Sequence, residues 1–159
     1  MKAKAAARSI SPLRWSDIPM FLQALLVLPL TAVMLRLGGF KRCHAFLERW
    51  SRSPARQAGD ESLKESIRSA RRAIYWAVEY GVYRGKRRHN CLPRSLTLWW
   101  LLRRQGIESE LRIGTRYRKG QLQAHAWIEY DGVPLNAGEQ VRQRFAAFDE
   151  PIRVEDRKR

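Results

Sequence analysis

The chain has 159 residues, enough for one domain with a buried core and a helical appendage. Its 31 Lys and Arg against 15 Asp and Glu leave a formal charge of +16, which favours an anionic partner such as nucleic acid, a lipid headgroup surface or an acidic polypeptide. Two cysteines, Cys43 and Cys91, are too few for a disulfide scaffold and fit a reducing cytoplasm.

Residues 1–15 are basic, Ala-rich and without periodicity, the pattern of a flexible arm. Ile18 to Leu37 is almost continuously apolar and long enough for a membrane span. Pro19, Gln23, Pro29 and Arg36 argue against a span, and no small-residue cleavage site follows in Gly38, Gly39, Phe40, Lys41 and Arg42, so a secretory signal is not expected. The expectation is a helix packed on the domain or on a partner, in a cytoplasmic protein; contact with a membrane surface through 18–37 is the alternative. A short second helix is expected from Arg42 to Trp50. The Ser, Pro and Gly content of 51–59 marks a linker, which divides a helical N-terminal region (1–59) from a mixed α+β region (60–159).

Ser62 and Glu65 form a capping box for the next helix. Leu63, Ile67, Ala70, Ile74, Ala77 and Val78 recur at helical spacing as its core stripe, with Arg68, Arg71 and Arg72 facing away and Gly81 as a stop. After a polar loop, residues 86–90, the run CLPRSLTLWWLLRR from Cys91 to Arg104 reads as an apolar helix. Pro93 suits its first turn, Arg103 and Arg104 suit the negative end of its dipole, and Gly106 ends it. Beyond Gly106 the period changes to two: Leu111, Ile113, Thr115 and Tyr117 in one strand, then Ala124, Ala126, Ile128 and Tyr130 in the next. Asp131 and Gly132 signal a hairpin, with Val133 to Asn136 as the return strand. The last twenty residues are charged and weakly patterned, and no internal repeat is visible.

A thiol in the first helical turn feels the positive end of the macrodipole and the unpaired amides there, which favour its thiolate and can stabilise an oxyanion. Cys91 has that position, with His89 and Asn90 just upstream as a cap or oxyanion donor. Taken alone, a free cysteine is more often an inert core residue. His125 lies in AHAWIEY on the strand face it shares with Trp127 and Glu129, opposite the apolar face, so the imidazole is not part of the hydrophobic layer. A cysteine at a helix start followed by a strand histidine is the order used by Cys/His hydrolases.

The run CLPRSLTLWWLLRRQGIESELRIGTR followed by AHAWIEYDGVPLN resembles the lasso peptide biosynthesis B2 family over roughly residues 62–148, and the N-terminal hydrophobic segment is similar too. The resemblance implies a leader peptidase with a papain/transglutaminase-like core, in which a helix bearing Cys packs on an antiparallel sheet bearing His. It further implies cleavage of a ribosomally made precursor peptide at its leader junction, delivery of the precursor by a separate leader-recognition protein, and release of the core peptide to an ATP-dependent cyclase. No cofactor is implied.

The resemblance also implies an orienting Asp on the return strand, where this chain has Ala137. With a three-residue loop at Tyr130 to Gly132, residue 137 would face His125 and Glu139 would share that face two positions on. A two-residue Asp131/Gly132 turn would instead bring Asn136 to that face. Both Glu139 and Asn136 remain orienting candidates, and a Cys91/His125 dyad without an orienter is the third option. Trp99 and Trp100 read as core, Trp127 as a shield for the site, and Glu129 as a structural ion-pair partner. Three histidines and two cysteines at these spacings match no metal-ligand set. Two other readings compete: a basic nucleic-acid-binding protein, for which no binding motif is present, and a transglutaminase-like amide transferase using the same thioester chemistry.

Overall fold

A computed structural model of the chain describes residues 11–51, 60–80, 91–118, 120–138 and 140–148. The expected linker (apart from Ser51), Gly81, the polar loop with His89 and Asn90, Glu139 and most of the N-terminal arm lie outside the described residues. A 3-10 turn at Trp15–Asp17 leads into α1 (Ile18–Leu37), which runs through Pro29, and then α2 (Gly39–Arg49), α3 (Asp60–Tyr80) and α4 (Cys91–Arg104). Two long strands follow, β1 (Glu110–Arg118) and β2 (Gln121–Tyr130), then the two-residue β3 (Val133–Pro134), a single turn α5 (Val141–Arg144) and β4 (Ala146–Ala147). The sheet order is β3-β2-β1-β4, with every neighbouring pair antiparallel. Helices followed by an antiparallel sheet make the α+β class expected from the sequence.

One core joins the helices to one face of the sheet. Ala24 from α1, Cys43 and Leu47 from α2, Ala70, Ala73, Ile74 and Ala77 from α3 and Leu96, Leu98 and Leu101 from α4 meet Leu111, Ala126 and Ile128. The expected stripe on α3 is buried from Ala70 to Val78 and partly buried at Leu63 and Ile67. α4 ends as its sequence dictates: Gly106 is left-handed (φ 74°), the Ile107 amide donates to the Leu102 carbonyl at 3.0 Å and the Gly106 amide to Arg103 at 3.0 Å. That paired pattern caps the last carbonyls of a helix.

Three expectations are corrected. α3 starts by Asp60, so Ser62 is a residue inside the helix rather than its cap. Arg72 does not face solvent: it is 6% exposed and its guanidinium grips the buried Asp17 through Nε at 2.8 Å and Nη2 at 3.0 Å, and Glu65 at 2.7 Å. Asp17, ahead of α1, is the partner that makes this burial tolerable, since a buried charge survives only when paired and hydrogen-bonded. The tail from Val141 to Ala147, weakly patterned in the sequence, carries α5 and β4, and β4 pairs Ala147 with Gly114 and Ala146 with Thr115. β4 extends the sheet at the edge of β1, while Arg142 of α5 and Phe145 lie on its second face against Glu129 and His125, and there Trp127 and Glu129 are as buried as the apolar face.

Candidate active site

Among the described residues, α4 begins at Cys91, which is half-buried against the core. One turn further along, Ser95 faces the sheet and its Oγ donates to the Ala126 carbonyl at 2.9 Å. β3 pairs only with Glu129 and Tyr130, so at Ala126 the outer edge of β2 is left to other partners. Asn136 supplies the rest: its Oδ1 accepts from the Ile128 amide at 2.8 Å and its Nδ2 donates to Ser95 Oγ at 2.9 Å, while the Leu135 amide donates to the Ile128 carbonyl at 2.8 Å. The start of α4 is therefore latched to the edge of β2 by a largely buried polar network whose members are mutually satisfied, an arrangement that fixes geometry.

The latch joins the helix that begins at Cys91 to the strand that carries His125. The side chains of Cys91 and His125 make no hydrogen bond to one another in this structure.

His125 sits on the strand face opposite the α4 core. Its ring stacks at 6.0 Å from Trp127 (interplanar angle 21°) and lies 5.2 Å from Phe145. Trp127 is itself held, its Nε1 donating to Glu129 Oε1 at 2.7 Å, and Glu129 is 1% exposed and paired with Arg142 and, at 3.3 Å, with Arg112. Glu129 is thus the structural ion-pair partner expected for it, and burial, which pushes its carboxyl up, is outweighed by the hydrogen bonds from Arg142 and Trp127, so it stays ionised. Opposite His125 in the register is Gly114, where an added Cβ would lie 2.9 Å from the Trp127 ring, 3.0 Å from the Ala146 carbonyl and 3.1 Å from Phe145 Cβ. Only glycine leaves room for the aromatic stack beside the imidazole.

Electrostatics keep the imidazole neutral. Burial first, then the Arg116 and Arg94 charges, push His125 below the ordinary histidine value. Arg116 lies over the Phe145 ring at 4.4 Å and its Nε donates to Gln123 at 2.9 Å.

Of the residues singled out from the sequence, Cys91 and His125 flank the same latch. Asn136 reaches it too, but its amide bonds α4 and the β2 backbone, not the histidine ring. The β2–β3 register pairs Tyr130 with Val133 and Glu129 with Pro134, so the loop has two residues, Asp131 (φ 47°) and Gly132 (φ 74°), and the three-residue alternative does not form. Sequence reasoning missed Ser95, Gly114, Arg116 and Phe145. Two had a signal: Ser95 lies four residues after Cys91 in an apolar helix, hence on its face, and a glycine in mid-strand marks a close approach. Among the described residues, no group of three or more His, Cys, Asp or Glu is gathered for a metal.

Against known proteins, the description of the transglutaminase-like superfamily matches residues 28–148, which takes in part of α1, the latch, the whole sheet and α5. No curated protein and no solved structure gives a significant match. With the match spanning most of the chain, including Cys91 and His125, this protein belongs to the transglutaminase-like superfamily, whose members are generally cysteine peptidases and transferases.

Proposed function

We propose that the chain is a cysteine peptidase of the lasso peptide B2 type, which removes the leader from a ribosomally made precursor in the cytoplasm. The observation that carries the reading is the Ser95–Ala126 hydrogen bond, which ties the helix start bearing Cys91 to the strand bearing His125. His125, kept neutral by burial and nearby arginines, is in the protonation state a general base needs. It takes the Cys91 proton as the sulfur attacks the carbonyl at the leader junction; amides of the first turn of α4 stabilise the oxyanion, and the imidazolium returns the proton to the leaving amine. Water then hydrolyses the thioester, with His125 again as base. The ring is steadied by Trp127 and Phe145, an aromatic clamp that takes over part of the positioning an orienting side chain supplies elsewhere. A separate leader-recognition protein and an ATP-dependent cyclase are the partners this role requires.

Purified protein and the leader-recognition protein are incubated with the precursor peptide, and products are weighed by mass spectrometry. Separate leader and core masses are expected with the wild type and none with Cys91→Ala. Cleavage by Cys91→Ala at the wild-type rate would falsify the reading, and a product carrying an added amine would reassign the chemistry to amide transfer.

A further inference from the structure

α1 is apolar all round, but only one side of it is used by the domain. Ala24, Leu28 and Thr31 are buried against the other helices, whereas Leu22, Leu26, Leu30, Val33 and Leu37 are exposed, Leu26 to 74% and Leu37 to 83%, with Trp15 ahead of them at 90%. At ~100° per residue the five helical positions fall within a stripe about 80° wide, directly opposite the buried ones. The stripe runs the length of a helix ~30 Å long. It offers no hydrogen-bonding side chain except Trp15 Nε1, whereas a protein interface of that size normally carries a hydrogen bond every 100–200 Å² or so.

The exposed charge at the far end of the stripe has one sign. No Asp or Glu occurs between Asp17 and Glu48, and Asp17 itself is buried on Arg72. Arg36, Lys41 and Arg42 are exposed at the far end of the stripe, while Arg14, ahead of α1, is paired with Glu65 at 3.2 Å. A long aliphatic face bare of acids and ending in exposed cations is complementary to an anionic bilayer surface, into which such a helix sinks its apolar side while lysine and arginine meet the headgroups. We propose that α1 is an interfacial membrane anchor, lying in the plane of an anionic lipid surface and holding the domain against it.

Crossing the membrane is a different matter. α1 is fastened to the domain at both ends of its inner face: at Asp17 by Arg72 and Ser69, and at Thr31, whose carbonyl receives Cys43 Sγ at 3.9 Å and whose hydroxyl meets Thr97 at 3.5 Å. Spanning would strand Arg72 without its buried partner, so the helix lies on the surface with the rest of the domain above it. This inference is independent of the peptidase reading.

The full chain is floated on density gradients with vesicles of phosphatidylcholine alone or with phosphatidylglycerol added, at low and high salt. Binding to the anionic vesicles, weakened by salt, is expected. Leu26→Glu with Leu30→Glu, at exposed positions and checked by circular dichroism, is expected to reduce partition at least about tenfold on those vesicles. Lys41→Glu with Arg42→Glu is expected to weaken the same binding while leaving any residual association with neutral vesicles unchanged. The proposal is overturned if the wild type stays in the soluble fraction with both vesicles, or if the leucine variants bind as well as the wild type, since charge alone then accounts for the association. It is equally overturned if vesicles are ignored while the chain self-associates through a contact that Leu26→Glu abolishes.

Discussion

The two cysteines occupy opposite kinds of surroundings. Cys43 lies in the middle of α2, fully buried, its Sγ directed at the Thr31 carbonyl, and burial pushes its thiol up to about 11. Cys91 lies at the start of α4, half-buried against the core, one turn before the Ser95 that bonds the Ala126 carbonyl of β2. Same side chain, different neighbours: in the first region the sulfur serves as a small apolar filler that holds α1 and α2 together, and in the second it stands at a helix start and is only partly covered. Position in the fold, not residue type, sets the two thiols apart.

Alkylation breaks or supports that contrast most sharply. At pH 8 a thiol with a value near 11 is thiolate in roughly one molecule in a thousand, and only the thiolate reacts. Cys43 is therefore expected to resist iodoacetamide in the folded chain and to react after unfolding, with Cys91 labelling at least about a hundredfold faster, read by peptide mass spectrometry. Equal rates at the two positions would erase the distinction. Activity should follow the same division: labelling Cys91 alone abolishes turnover, and Cys43→Ala retains it at a stability cost of about 1 kcal/mol.

The next largest effect belongs to the anchor of the Cys43 region, the Asp17–Arg72 pair. Removing one member of a buried pair leaves the other uncompensated, so Asp17→Ala is expected to cost about 3–5 kcal/mol in chemical denaturation. Burial raises the Asp17 carboxyl, but hydrogen bonds from Arg72, Ser69 and the Arg14 amide outweigh it and hold it at about 2. Because the folded value lies below the unfolded one, this stabilisation, about 2 kcal/mol, is full above pH 4 and lost as the pH falls towards 2. Asp17→Asn should flatten that acid limb; an unchanged limb would show that other carboxylates set it.

Much of this architecture was written locally. Pro93 and Gly106 bracket α4, the period-two runs locate β1 and β2, and Asp131-Gly132 sets the hairpin, because each depends on residues adjacent in the chain. What escaped depends on partners distant in sequence. Arg72 reads as a solvated arginine until Asp17 is brought to it, and Ala146-Ala147 has no strand pattern until Gly114 and Thr115 offer an edge. The candidate site divides in the same way: Cys91 and His125 announce themselves by type and position, while Ser95, Phe145 and Arg116 matter only through what lies beside them.

Gly114 tests the aromatic surroundings of His125. A methyl group there meets the Trp127 ring, the Ala146 carbonyl and Phe145 Cβ at once, and two of these three belong to the clamp on His125. Gly114→Ala is expected to destabilise the fold by about 1–3 kcal/mol through overpacking. It should also lower turnover beyond the unfolded fraction, measured at a temperature where the variant remains folded. Loss of stability with full turnover per folded molecule would detach the clamp from the chemistry.

The smallest expected effect is also the most specific to the histidine. Burial and then the Arg116 and Arg94 charges disfavour imidazolium, so the base stays neutral further into acid than an ordinary histidine would, and the acid limb of activity falls correspondingly low. Folding shares the sign: with the folded value depressed, the unfolded chain binds the proton more readily, and the histidine's contribution to stability, complete above its ordinary value, drains away as the pH drops through that window. Arg116→Gln removes one of the two charges and leaves burial, the larger cause, in place. The acid limb should therefore move upward only slightly, lowering activity roughly twofold at a pH on that limb and leaving the plateau unchanged. A plateau that falls with the limb fixed would mean that Arg116 acts through its contact with Phe145, as packing, and not through its charge.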